Sequence, residues 1–122
     1  MAFIFAGLDH VQLAAPTGSE ETAIHFYETI LGMTEIEKPD TLKKNGGVWF
    51  QCGKQQLHIG IEEPFFPAKK AHPAFYVNQL NELKNHLANH DVSVQADDRL
   101  PGYNRFYVED PFGNRLEFLE QK

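Results

Sequence analysis

A chain whose second half repeats the grammar of its first has few folds open to it. Asp9-His10-Val11 opens an alternating stretch and Leu57-His58-Ile59 closes the first half, while Ala71-His72-Pro73 and Leu116-Glu117-Phe118 do the same for the second. His10 is echoed by His72 and His58 by Glu117 at an almost constant offset. That regularity predicts two copies of one module. Each copy is too small to bury both faces of a sheet, so the two are expected to complete a single domain over residues 1–122. Module one covers about 1–62 and module two about 71–122. The connector, 63–70, is marked by Pro64, Pro67, Lys69 and Lys70.

The same order of elements is expected in each half. Leu8 to Ala14 alternates as a strand does, and Pro16-Thr17-Gly18 stops it. Thr17 and Glu20 have the spacing of a capping box, and Ala23, Ile24, Tyr27, Ile30 and Leu31 form a helical stripe that Gly32 ends. Residues 33–37, 47–52 and 56–61 follow as three strands. In the second half, 72–77 is the first strand and Asn78 the cap of a helix carrying Leu80, Leu83 and Leu87. Strands over 92–95, 105–108 and 115–120 follow, the last two joined by the turn Asp110-Pro111-Phe112-Gly113-Asn114. The fold class is therefore α+β, with two tandem βαβββ modules forming a cup-shaped mixed sheet.

Composition narrows the partners. Seventeen acidic residues against 11 basic ones give a net charge of −6. A protein that grips a phosphate backbone carries a basic face, so nucleic acid is disfavoured. The single cysteine, Cys52, forms no intrachain bridge, which suits a reducing cytoplasm. The apolar run Met1 to Ala6 meets Asp9 and His10 almost at once; it lacks a basic leader and is too short to span a bilayer. A cytoplasmic protein with no membrane partner is the expectation.

Side chains alternate between the two faces of a strand, so His10 shares a face with Leu8 and Gln12, His58 with Gln56 and Gly60, and Glu117 with Arg115 and Leu119. Such mixed flanks suit the wall of a partly wet cup better than an apolar core. Three imidazoles and a carboxylate at matched places in two duplicated frameworks would suit a divalent metal. A lone strand histidine is more often structural, and His25, His86 and His90, on helices with polar faces, are read that way. For His10, His58, His72 and Glu117 the repeated offset favours a common role.

Several of these residues resemble a known family. Leu8-Asp9-His10-Val11, Phe26-Tyr27, Leu31-Gly32-Met33, Ala71-His72-Pro73-Ala74-Phe75 and above all the run from Phe106 to Phe118, with its Asp110-Pro111-Phe112-Gly113-Asn114-Arg115-Leu116-Glu117-Phe118, are similar to the vicinal oxygen chelate superfamily. Its members include glyoxalase I, fosfomycin-resistance thiol transferases, extradiol dioxygenases and bleomycin-resistance proteins. The resemblance implies paired βαβββ modules, usually in a homodimer. It also implies metal ligands on the first and last strands of each module, which here carry His10, His58, His72 and Glu117. Glyoxalase I commonly has a carboxylate where this chain has His58, whereas other members use two histidines and a glutamate, matching His10, His72 and Glu117. His58 is thus either a fourth ligand or an acid/base.

A divalent ion (nickel, zinc, manganese or iron) chelated by vicinal substrate oxygens would act as a Lewis acid. Glu117 and His58 are the candidate catalytic proton carriers. Trp49, Tyr103, Arg99 and Arg105 are candidate substrate-binding residues, the arginines for an anionic group and the aromatics as pocket wall. Tyr27 and Phe106 are assigned to core packing. No nucleotide-binding glycine loop or nucleophile elbow is present. The expected function is that of a metal-dependent enzyme acting on a small oxygenated molecule, with lyase, isomerase, thiol-transferase or dioxygenase chemistry. The alternative is a metal-free drug- or small-molecule-binding protein of the bleomycin-resistance type.

Overall fold

The computed structural model, which describes residues 1–122, divides the chain into two units, Met1–Glu63 and Pro64–Lys122. Each is built on a four-stranded mixed sheet. In the first unit β1 (His10–Ala15), α1 (Glu20–Ile24), β2 (Thr34–Ile36), a short α2 (Asp40–Lys43), β3 (Val48–Cys52) and β4 (Gln55–Ile61) follow in order. The sheet order is β1-β4-β3-β2, with β1 parallel to β4 and the other pairs antiparallel. A parallel pair needs a crossover, which the helix supplies.

Leu13, Ala15, Val48, Phe50, Leu57 and Ile59 alternate onto one face of this sheet and are buried together with Ala23, Phe26, Tyr27 and Ile30 of the helical segment. Each large apolar side chain so buried contributes about 2 kcal/mol before conformational entropy is charged against it. The helical segment departs from the expected stripe. After Ile24 it widens into a π-helix over His25–Ile30, and the Leu31 N–H donates to Phe26 O, five residues back, at 2.9 Å. The wider turn brings Phe26 into the core and leaves Ile24 and Leu31 half-buried. Gly32, at φ +80°, ends it as expected.

The capping box does not form. Ser19 takes the cap position, the Thr17 N–H donates to Glu63 Oε1 (2.7 Å), and Glu20 Oε2 accepts from the Gly47 N–H (2.9 Å), tying the helix to the start of β3.

The second unit contains β5 (Ala74–Tyr76), α3 (Leu80–Asn89), β6 (Gln95–Asp97), β7 (Tyr103–Glu109) and β8 (Arg115–Gln121), in sheet order β5-β8-β7-β6. Again the first and last strands pair in parallel. Leu80 and Leu87 are buried with Phe106, Val108, Leu116 and Phe118, and the Phe75 and Phe106 rings pack on Phe118. Asn78 is not the cap: Gln79 sits there at φ +67°, and the N–H groups of Gln79 and Leu80 donate to the Glu120 carboxylate at 2.9 and 3.1 Å. The strand expected over 92–95 forms later, as β6, because the chain first completes a turn at Asp91, φ +59°.

The expected turn at 110–114 is held by Asp110 Oδ1, which accepts from the Phe112 and Asn114 N–H groups, both at 2.9 Å. Asn114 Oδ1 accepts from Ala68 N, and Arg115 N donates to Ala68 O. Part of the stretch expected as a connector is thus stitched to the turn before β8. No helix is long and apolar enough to cross a membrane.

Gly47 has φ +87°, and a Cβ there would stand 2.2 Å from Ile59 O. Gly47→Ala is expected to cost more than about 2 kcal/mol in urea unfolding. Gly53→Ala, at φ +57° in open space, should cost only about 1 kcal/mol. Equal losses would contradict the close packing of Gly47 on β4.

Candidate functional site

Opposite the core, the first sheet carries His10 and Gln12 on β1, Gln56, His58 and Gly60 on β4, and Trp49 on the flank of β3. The strand order β1-β4-β3 places His58 between two rings. His10 stacks on it with centroids 4.1 Å apart and planes at 16°, and Trp49 stacks at 3.9 Å and 2°. Gly60 keeps this face open for Gln12, whose amide would collide with any larger residue at 60. His58 Nε2 donates to Gln56 Oε1 (2.9 Å), so the lone pair of the neutral ring lies on Nδ1. Burial, and secondarily the nearby His10, push the His58 pKa below the ordinary imidazole value. His10 Nδ1 in turn donates to Asp9 Oδ2 at 2.9 Å, on the exposed side.

The second sheet presents charge where the first presents rings. Glu117, in the middle of β8, is 5% exposed and pairs with Ala74 on β5 and Tyr107 on β7. Its Oε1 lies 2.9 Å from His72 Nε2 and its Oε2 lies 3.5 Å from Arg105 Nη1. His72 Nδ1 donates to Lys70 O at 2.9 Å, which fixes the ring and turns Nε2 toward the carboxylate. Arg105 continues the network to Asp97 on β6, with Nη2 to Oδ1 at 3.2 Å. Arg99 reaches the same carboxylate through Nε (2.8 Å) and its backbone N–H (2.9 Å). These contacts, Arg99 foremost, hold the Asp97 carboxyl well below the usual carboxylate range. The Tyr107 ring lies under the Arg115 guanidinium at 3.9 Å, with Arg105 at 5.4 Å and the His72 ring perpendicular to it, centroids 5.5 Å apart.

His10 and His58 are therefore neighbours in the first unit, and His72 and Glu117 are hydrogen-bonded in the second. Within neither unit do three or more His, Cys, Asp or Glu side chains gather into a group that could hold a metal ion. Trp49 packs on His58. Arg99 is exposed after β6, whereas Arg105 lies within β7 and is largely buried. Tyr103 opens the same strand, half-buried. Tyr27 and Phe106 are core residues, as expected. Two residues that organise these faces, Asp97 and Tyr107, have no place among the candidates of the sequence, whereas Gln56 is already expected beside His58. Tyr107 could have been found from strand alternation alone, since it shares a face with Arg105. Asp97 could not, because its strand was placed too early.

The sequence pattern of the Glyoxalase/Bleomycin resistance protein/Dioxygenase superfamily matches residues 7–118. The chain belongs to that superfamily. A glyoxalase family protein from Bacillus anthracis is 54% identical over the whole of both chains, and its crystal structure superposes with a TM-score of 0.98. The superfamily fold recurs in more distant structures. A lactoylglutathione lyase from Agrobacterium tumefaciens is 23% identical, with 94% of this chain and 93% of that one covered and a TM-score of 0.74. A glyoxalase/dioxygenase from Nostoc punctiforme is 20% identical, with 96% and 92% covered and a TM-score of 0.78. No curated protein matches the sequence significantly.

Asp97 allows a test of the charged network. A carboxyl with a depressed folded pKa contributes stability that is present above its unfolded value, about 4, and lost as the pH falls below it. Asp97→Asn should therefore unfold more easily than the parent at neutral pH. The gap should close progressively below about pH 4 in urea melts taken across the acid range. A gap independent of pH would mean that Asp97 acts by packing rather than by charge.

Proposed function

We propose that this chain is a small glyoxalase-superfamily enzyme that uses a divalent metal, held by His10, His72 and Glu117 with His58 as a fourth ligand or proton carrier, to act on a small oxygenated substrate. The observation that carries the reading is Glu117. A carboxylate buried in mid-strand is expensive to desolvate, and this one is set against an imidazole whose other nitrogen is anchored to a backbone carbonyl. That arrangement orients metal-ligating histidines. His72 Nε2 and Glu117 Oε1 stand 2.9 Å apart, an imidazole nitrogen and a carboxylate oxygen turned toward one another, as two ligands of one cation are. The donor set, imidazole nitrogen plus carboxylate oxygen, suits nickel, zinc, manganese or iron.

A bound divalent ion would supply Lewis acidity toward two vicinal substrate oxygens. The chain's own residues would do the rest. His58, held neutral by burial and fixed by Trp49 and Gln56, offers Nδ1 as a proton acceptor. Glu117 is the alternative carrier, its Oε2 3.5 Å from Arg105 Nη1. Trp49, Tyr103 and Arg105 are the proposed substrate-side residues, and Arg99 supports them through Asp97.

A cytoplasmic homodimer is part of the proposal. Met1, Ile4, Phe5 and Leu8 are all at least 74% exposed, and so much uncovered apolar surface beside an edge strand suits contact with a second copy.

The deciding measurement is metal content after purification without chelator. One divalent ion per site is expected, with affinity reduced roughly tenfold or more in His72→Ala and in Glu117→Ala. Absence of stoichiometric metal, together with no thermal shift on adding nickel, zinc, manganese or iron, would favour the metal-free binding protein instead. With metal present, hemithioacetals, thiols with epoxides, and catechols are the substrates to assay. Sedimentation showing a monomer at micromolar concentration would remove the dimer.

A further inference from the structure

The chain has three arginines, and two of them are already committed to carboxylates. Arg99 is bound to Asp97, and Arg105 to Asp97 and Glu117. Arg115 is different. No carboxylate lies within ion-pair distance of it, and Glu109, directly opposite in the β7–β8 register, is exposed and does not bridge to it. Its guanidinium rests on the Tyr107 ring at 3.9 Å. A cation stacked on an aromatic face is oriented, yet the N–H edge of its planar fork stays available, which is the geometry that receives carboxylate or phosphate oxygens in a bidentate manner.

The placement links that edge to the proposed chemistry. Arg115 and Glu117 alternate onto the same face of β8, about 7 Å apart along the strand. Tyr107, the platform under Arg115, is the cross-strand neighbour of Glu117 and packs perpendicular to the His72 ring. An anion held at Arg115 would therefore lie beside the His72–Glu117 pair. Arg115 is half-buried, so its field is less screened than that of a surface lysine.

We infer that Arg115, oriented by Tyr107, receives an oxyanion group of the substrate, which makes the substrate class small carboxylates or phosphates rather than neutral or cationic molecules. The inference rests on the proposal that the His72–Glu117 face is the substrate side. It assigns anion recognition to Arg115 rather than to Arg99 or Arg105, whose charges are already met.

With only three arginines, the Nε–H resonances of the 15N-labelled protein can be assigned from the variants Arg99→Lys, Arg105→Lys and Arg115→Lys. Chelator-treated protein is titrated with inorganic phosphate, with acetate and, as a cationic control, with tetramethylammonium. The expected result is a saturable shift at Arg115 with one or both oxyanions, little change at Arg99, and none with the cation; the arm that saturates names the anion. Arg115→Gln should weaken the oxyanion roughly tenfold, while Lys54→Gln, at an exposed turn cation, leaves its affinity unchanged. A silent Arg115 resonance, or one that moves no more than Arg99, overturns the inference. Because metal is stripped, the two readings fail separately. A saturable Arg115 response in a protein that never retains metal removes the metal-dependent enzyme and keeps the anion site. Stoichiometric metal with a silent Arg115 does the reverse.

Discussion

The parallel pairing of the first and last strands within each module is the constraint from which both candidate faces follow. Parallel neighbours cannot be joined by a hairpin, so a long crossover must separate them in sequence. That separation is what lets residues from opposite ends of a module become neighbours. β1 beside β4 brings His10 against His58, and β5 beside β8 brings the segment carrying His72 to Glu117. The remaining strands widen each sheet and supply the flanking groups: Trp49 in one, Arg105 and Tyr107 in the other.

Holding these groups has consequences for packing. One face of each sheet must be apolar enough to stabilise a module whose other face is polar. The buried sets do this with few residues, Tyr27, Phe50, Leu57 and Ile59 in the first unit and Leu87, Leu116 and Phe118 in the second. The helices are attached by carboxylates rather than by conventional side-chain caps. Glu20 reaches the N–H of Gly47, and Glu120 takes the first N–H groups of α3. In both cases a single acid joins a helix to its sheet, and in the second it also meets the positive end of the helix dipole.

Most of this architecture is legible in the amino-acid order alone. Strand alternation and the duplicated His and Glu positions gave the modules, their order and the face on which each candidate residue stands, because period-2 patterning is a local property that tertiary contacts seldom overrule. What was illegible depended on contacts distant in sequence. Thr17 and Glu20 have capping-box spacing, but Glu63 and Gly47 compete for the same groups and win. The π turn that buries Phe26 changes the hydrogen-bond step itself, which a 3.6-residue stripe does not register. The strand expected to start at Arg105 begins two residues earlier, at Tyr103, although Tyr103 and Asn104, next to Pro101-Gly102, look like a turn. The pairing of Arg105 with Asp97 lies across a strand boundary that was drawn too early.

The two modules have diverged in chemistry more than in form. At the positions where the first unit carries Trp49, His58, His10 and Gln56, the second carries Tyr107, Glu117, His72 and Arg115, with Asp97 and Arg105 extending the network to the next strand. Stacked rings restrict one another's rotation without introducing charge, so they fix the direction of a lone pair and tolerate burial. A network of alternating charges does the opposite: each carboxylate is tolerable only because an arginine or imidazole faces it, and losing one partner exposes the next. The duplicated scaffold thus keeps both solutions, a stacked imidazole face in one copy and a polarised network of charges in the other. His58 and Glu117 stand at corresponding positions of the two last strands, which is why the identity of the residue there, imidazole or carboxylate, decides the character of its whole face.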